Sequence, residues 1–343
     1  MDRRRFVAAA GALFAAGLAG CSGDGDDDPL DGGGTSPAGT TAGGPTGDDG
    51  EAATSAEPTS ISATAAVGVV VSGERIALVV RDVTETTSLG EDDDADDGNV
   101  FLVVRLALEN TGADTFIDFP GFLDTSLRDA GGNSYSPRIA AGEQTFDSFQ
   151  LAPGEVARVD LIFEVPADAG GLSLGVDLDA VSAVEYDRVT VALDERAESV
   201  GDLKQRLRVP VHGTGETVSR SDAAVTVHSV DFTDAVGEPP LEAPAGEEYA
   251  IVDVTVTNDA AEAREVAGPL LVGVKDDRGR SYWQDVVATS QLAQSFETDS
   301  ELAPGESRRG TLAHPVPRDA ESLYWVFGFG LWDGGDKAFW ELR

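Results

Sequence analysis

Five residues, LAPGE, stand at Leu151–Glu155 and again at Leu302–Glu306, and around them the chain lines up with itself. NVFLVVRLALENTG from Asn99 faces EEYAIVDVTVTNDA from Glu247. LRDAGGNSYSP from Leu127 faces VKDDRGRSYWQ from Val274. FQLAPGEVARVDLIFEVPADAGGLSL from Phe149 faces SELAPGESRRGTLAHPVPRDAESLYW from Ser300. Shared order and nearly equal spacing make this an internal duplication. Whatever one half folds into, the other must fold into as well.

Each block carries a strand or turn signal. Leu102, Val104, Leu106 and Leu108 recur at period two, matched by Val252, Val254 and Val256, which is the pattern of a half-buried strand. Asn110 and Asn258 follow directly, where such a strand should turn. RDAGGNSY and KDDRGRSY predict tight hairpins in which Gly takes positive φ and Tyr begins the return strand. Pro153-Gly154 and Pro304-Gly305 fit the two central positions of a type II turn, so LAPGE reads as a hairpin turn with a structural task. After it, Ala157, Val159, Leu161 and Phe163 alternate with Val156, Arg158 and Asp160, and both copies end at Val-Pro (Val165-Pro166, Val316-Pro317), where proline cannot donate to a ladder. No segment of ten residues has clear helical periodicity. GDLKQRLRV from Gly201 is the nearest, and it reads as a bridge between modules. Many short strands in two modules of about 130–140 residues predict an all-β protein of two β-sandwiches.

The N-terminus reads as an address. MDRRRFVAAAGALFAAGLAGC has three arginines, an apolar run from Phe6 to Ala19 and then a cysteine. The run is shorter than the roughly 20 residues that cross a bilayer and has the length of a signal-peptide core. Arg3, Arg4 and Phe6 look like the twin-arginine export pattern, and Leu18-Ala19-Gly20-Cys21 resembles the lipobox of exported lipoproteins. Cys21, the only cysteine, is then the lipidation site and the membrane anchor. A diacylglyceryl group supplies two chains, where one chain alone binds only marginally. No cysteine remains for a disulfide, so the cores must hold without one. From Ser22 to about Ala65 the chain is almost entirely Gly, Thr, Ser, Ala, Pro and acid, with few hydrophobic side chains and no Lys or Arg. This composition predicts a disordered, extended tether. The expected organisation is signal peptide 1–20, lipidated cysteine and acidic linker 21–65, first sandwich 66–200 and second sandwich 201–343, outside the cytoplasmic membrane.

Charge excludes some partners. With 62 Asp+Glu against 24 Lys+Arg the formal net charge is −38, the opposite of what neutralising nucleic-acid phosphates requires. It argues equally against adhesion of the folded part to anionic lipid. Self-repulsion of this size asks for salt, which shortens the Debye length to about 3 Å at 1 M. Abundant acid with three lysines (Lys204, Lys275, Lys337) resembles proteins of extreme halophiles, a statement about solvent rather than function.

Candidate chemistry is sparse. His314 replaces the inward-facing Phe163 of the first copy and reads as a core residue. Blue-copper ligation needs a thiolate, and the mature chain has none. No serine is read in the strained strand-to-helix turn that makes a nucleophile elbow, so no enzyme is expected. In GEDDDADDGN, Asp92, Asp94 and Asp96 have the spacing of a calcium loop, but Asp97 stands where Gly is required and Val103 where Glu is required. A solvated loop is the plain reading and a weak Ca²⁺ site the alternative. No other cofactor is implied. In SLYWVFGFGLWDGGDKAFWELR, Leu323, Trp325, Phe327, Phe329 and Leu331 share a face that fills the core of the second sandwich. Tyr324 and Trp332 lie on the other face, open to a protein partner, a glycan or the first domain.

The order strand–VTN, DDxGxxY, LxPGExxxGxLxFxVPxDA resembles a domain-of-unknown-function family of secreted bacterial and archaeal lipoproteins. That family shares the immunoglobulin-like sandwich of a mycobacterial immunogenic secreted antigen. The resemblance covers Val67 to about Asp194 and Arg208 to Arg343. It is stronger in the second copy, since the first departs from it with ENTG and an acidic insertion. It implies two tandem immunoglobulin-like domains and an extracytoplasmic place, and it carries no catalytic residue. The function expected is a non-catalytic binding, adhesion or envelope-accessory module. The alternative is a solute- or metal-binding lipoprotein that serves transport.

Overall fold

In the computed structural model, residues 61–90, 93–119, 124–138, 150–181, 184–220, 222–265, 272–297, 301–329 and 337–343 are described. Arg3, Arg4, Phe6, Cys21, Asp92 and Trp332 lie outside them. The first copy runs β1 (Ser62–Val67), β2 (Val71–Ser72), β3 (Ile76–Thr86), β4 (Asn99–Asn110), β5 (Ile117–Asp118) and β6 (Asp124–Arg128). It continues through β7 (Ser134–Tyr135), β8 (Gln150–Leu151), β9 (Val156–Pro166), β10 (Ser173–Asp177) and β11 (Arg188–Arg196). The second copy begins with β12 (Val211–His212), β13 (Thr217–Ser219), β14 (Ala223–Thr233), β15 (Ala235–Val236), β16 (Leu241–Glu242) and β17 (Glu247–Asn258). Then follow β18 (Arg264–Glu265), β19 (Val272–Asp276), β20 (Ser281–Tyr282), the short helix α1 (Val286–Ser290), β21 (Glu301–Leu302), β22 (Ser307–Pro317), β23 (Leu323–Gly328) and β24 (Lys337–Glu341).

The duplication is complete at the level of topology. In the first copy the sheet β1-β11-β10-β6-β7 faces β2-β3-β4-β9, with the ribbon β5-β8 beside them. In the second, β12-β24-β23-β19-β20 faces β13-β14-β17-β22, with β18-β21 beside them. The outermost pairings β1–β11 and β12–β24 are parallel, and the others are antiparallel. The second copy adds β15-β16 and α1. That short helix is capped by Asp285, whose side chain accepts from the Ala288 N–H.

Alternation places the cores where periodicity predicts. Leu102, Val104, Leu106 and Leu108 join Leu161, Phe163, Leu174 and Val176 in the first. Val252, Val254 and Val256 join Trp325, Phe327, Phe329 and Trp340 in the second. Trp325 and Trp340 meet edge-on with ring centroids 5.4 Å apart.

The repeated motifs are repeated hydrogen-bond sets. The Asn110 Nδ2 donates to the carbonyls of Thr115 (2.8 Å) and Leu151 (2.9 Å), while its Oδ1 accepts from Gly112 N–H (2.9 Å). Asn258 does the same with Glu262, Leu302 and Ala260. Each Asn thus ties its strand end to the LAPGE strand and satisfies buried backbone groups. In the hairpins, Asp129 Oδ2 accepts from the Tyr135 hydroxyl (2.8 Å) and Asp276 Oδ2 from the Tyr282 hydroxyl (3.0 Å). LAPGE is a tight turn with Gly154 at φ 77° and Gly305 at φ 76°. It is not a hairpin, because β8 pairs with β5 while β9 pairs with β4. The turn carries the chain from the side ribbon into the four-stranded sheet. GDLKQRLRV takes no helix and runs extended between the modules.

His314 is fully buried, its Nδ1 3.1 Å from the Tyr282 carbonyl oxygen. Burial drops its pKa from 6.5 to about 4. The folded state therefore holds it neutral while the unfolded chain takes up a proton first. Its contribution is complete above pH 6.5 and is lost as pH falls toward 4, an amount on the order of 3 kcal/mol. In His314→Phe, urea unfolding followed from pH 7 to pH 4 should show a shallower loss of stability than the parent. Parallel curves would remove His314 from the pH response.

Candidate binding site at the junction of the two sandwiches

The two copies of LAPGE have the same shape and opposite surroundings. In both, the glutamate reaches back to the N–H three residues earlier: Glu155 Oε2 accepts from Ala152 (2.8 Å) and Glu306 Oε2 from Ala303 (2.9 Å). Glu306 is about half exposed. Glu155 is completely buried, and its Oε1 accepts from Lys275 Nζ and Lys337 Nζ, each at 2.7 Å. Two of the chain's three lysines, both in the second sandwich, close on one carboxylate of the first.

Register explains how they reach it. On β19, β23 and β24 the inward residues are Val274, Trp325, Ala338 and Trp340, so Lys275, Tyr324, Val326, Lys337 and Phe339 point to the opposite face. The first LAPGE turn sits on that face. Ala152 packs with Val326 and Phe339, edged by Phe116, Leu207, Val209 and Tyr324. Tyr324, expected on a face open to a protein partner, a glycan or the first domain, is therefore half-buried against the first domain and the connecting segment. The connector closes the joint: Arg206 N–H donates to the Gly154 carbonyl and Arg208 N–H to that of Pro153, both 2.8 Å. A Cβ on Gly154 would come 1.8 Å from the Arg206 carbonyl oxygen, and one on Gly279 2.4 Å from that of Val156. The sister glycines Gly305 and Gly132 have open space around them. Both sandwiches belong to a single compact unit.

Beside this contact lies a cleft of about 530 Å³. The first copy contributes Arg81, Arg105, Arg158 and Asp160, and the second Glu247, Arg280, Tyr282, Trp283, Pro315 and Pro317. Arg105 and Arg158 are on the outward face of β4 and β9, opposite Asp160 and Ala107 in register. Arg81 is the extra residue of a β-bulge between Val80 and Asp82, which turns it to the same side. Arg158 is nearly buried. Its Nε donates to the Arg278 carbonyl (2.5 Å) and its Nη2 to Asp202 Oδ1 (2.9 Å) and the Leu203 carbonyl (3.2 Å), while Nη1 has no hydrogen-bond partner among the described residues. Burial lowers the Arg158 pKa, with Asp202 opposing. Burial would raise Asp202, but Arg158 and Arg81 outweigh it and hold that carboxyl below the usual range. Glu247 is raised by burial.

The acidic loop arranges differently. Asp94 forms an isolated bridge with Ser88, and the Asp96 N–H donates to Glu164 Oε1 (2.8 Å). Among the described residues no group of three His, Cys, Asp or Glu side chains is placed to hold a metal ion, and Asp92 lies outside them. Nor, among those residues, is any helix long and apolar enough to cross a membrane.

A family model described as Domain of unknown function (DUF4352) matches twice, at residues 65–185 and 212–337. No curated protein sequence matches the chain. Among solved structures, the yjhA protein of Bacillus subtilis is 16% identical, covers 39% of this chain and 100% of its own, with a TM-score of 0.31. A β-sandwich protein of Clostridium difficile is 15% identical over 40% of this chain and 98% of its own, TM-score 0.29. The secreted protein MPT63 of Mycobacterium tuberculosis is 14% identical over 39% and 98%, TM-score 0.29.

Replacing Glu155 by Ala leaves two buried ammonium groups without their shared carboxylate, a loss of about 3–5 kcal/mol by the usual cost of breaking a buried ion pair. Glu306→Ala at the sister site should cost about 1 kcal/mol, the worth of one hydrogen bond. Urea unfolding of both variants in concentrated salt compares them directly. Equal costs would mean that the lysine clamp does not hold the sandwiches together.

Proposed function

This chain belongs to the DUF4352 family, and on that premise we propose that it is an extracytoplasmic, lipid-anchored binding module that performs no catalysis. The observation that carries the binding reading is the cleft between the copies, where four arginines converge and Arg158 keeps an unused donor. A purely structural repeat has no need of that constellation. In the second copy the positions of Arg81, Arg105 and Arg158 hold His228, Asp253 and Arg309, and Arg309 is spent on Asp253.

Anchoring rests on sequence: the Arg3, Arg4 and Phe6 pattern, the apolar run and Cys21. Two sandwiches locked as one unit behind an acidic tether suit a receptor held off a membrane surface in salt. Partners in this reading are a protein or glycan of the envelope. A second reading, capture of a small solute for transport, draws support from the cleft's volume, which falls within the few hundred to 1,000 Å³ typical of small-molecule sites.

Fractionation tests the anchored module. Cells producing the parent chain should retain it in membranes, and cells producing Cys21→Ala should release it to the soluble extracytoplasmic fraction. Parent and variant fractionating alike would overturn the anchor, and both remaining cytoplasmic would overturn export.

A further inference from the structure

The inter-sandwich cleft has a chemistry specific enough to name a ligand class. Its charge runs against the chain: four arginines face it with two carboxylates, Asp160 and Glu247, in a protein where acids outnumber bases 62 to 24. Neighbouring acids temper the arginines without consuming them. Asp202 lies 2.9 Å from both Arg81 and Arg158, and Asp82 pairs with Arg105 at 3.1 Å while also pairing with Arg196. Each such pair uses part of a planar fork that has five donors. At Arg158 the accounting is explicit: two nitrogens are bonded, and the third is buried without an acceptor. Buried polar atoms are nearly always satisfied, so this unpaired donor, on a residue that lines the cleft, leaves Arg158 with bonding capacity that its described neighbours do not use.

The opposite wall is of another kind. Trp283, Pro315, Pro317 and the ring of Tyr282 come from the second sandwich and offer apolar surface. Cationic forks on one side and flat apolar groups on the other fit a molecule with one anionic end and one apolar body. A bare oxyanion would leave the apolar wall unused, and a sugar would leave the forks unused.

We propose that this cleft binds a small organic carboxylate, its carboxyl group on Arg158, Arg105 and Arg280 and its apolar part against Trp283 and Pro315. This deepens the binding-module reading and rests on it. Bidentate guanidinium–carboxylate pairing is the strong form of the charge-assisted hydrogen bond and keeps its geometry where salt screens simple attraction.

The test is calorimetric titration of the purified full chain in concentrated potassium chloride with three probes: phenylacetate, 2-phenylethanol and sulfate. Phenylacetate should bind once per chain, with the alcohol and sulfate at least ten-fold weaker. Arg105→Gln and Arg280→Gln, both at half-exposed positions, should each weaken phenylacetate at least ten-fold. Arg158→Gln should do the same if it folds, and the other two decide the matter if it does not. A flat phenylacetate isotherm, sulfate binding as well as phenylacetate, or unchanged affinity in both variants would overturn the proposal. The titration reads neither anchoring nor partner capture, so its failure leaves the anchored module to be judged by fractionation alone.

Discussion

The carboxylate of Glu155 is the point on which the arrangement of the two sandwiches turns. A charge completely out of solvent is tolerated only when paired and hydrogen-bonded. Three donors converge here: the Ala152 N–H, Lys275 Nζ and Lys337 Nζ. The backbone bond fixes the turn, and the lysines fix what the turn docks on. Around them the contact of Ala152 with Val326 and Phe339 removes apolar surface from water. The ionic part supplies orientation, since each lysine reaches the same oxygen from a different strand. The apolar part supplies the non-directional attraction.

Duplication followed by divergence explains why one such joint forms and not a second. The register of the paired sheets places Arg128 and Arg188 of the first copy where the second has Lys275 and Lys337. Between them the first copy has Gly175 and Thr190 in place of Val326 and Phe339. The basic positions persist and the apolar patch does not. Arg188 is occupied by Asp177, and the second LAPGE turn keeps Glu306 in solvent. Docking thus needs both the cations and the apolar floor between them.

Much of the fold was legible in the sequence because it depends on local patterns. Alternation at Leu102–Leu108 and Val252–Val256 places the core strands, and positive-φ glycine marks Gly154, Gly279 and their sisters as turns. The aromatic run from Leu323 identifies its inward face by parity alone. Parity also identifies the outward face of Tyr324, but not what covers it. The junction was not legible, for a physical reason: LAPGE is identical in both copies, and burial of Glu155 is decided by residues 120 and 182 positions away. The one available signal was the lysine count, since with only three in the chain, two at sister-arginine positions invited a shared partner. LAPGE as a hairpin failed similarly, because the turn's own geometry does not say which strands pair on either side. The cleft was hidden further still. Arg81 reaches it through a bulge that breaks the alternation, and Arg280 through a hairpin of the other copy.

The cleft also bears on why so acidic a chain retains these arginines. In concentrated salt, long-range attraction is screened within a few ångströms, so an excess of acid elsewhere does little to repel an anion from a recessed site. What survives screening is contact: the directional bonds of a guanidinium fork and the burial of apolar surface. A lysine would provide a hydrated point charge, the form most weakened by salt, whereas arginine keeps planar geometry and is less strongly hydrated. The basic residues of these two places divide accordingly. Lys275 and Lys337 are placed at the joint, where Glu155 is buried and screening is weak, and four arginines line the cleft that solvent enters. That division follows from the dielectric difference between the two places, one a few side chains deep in the interface and the other open to salt.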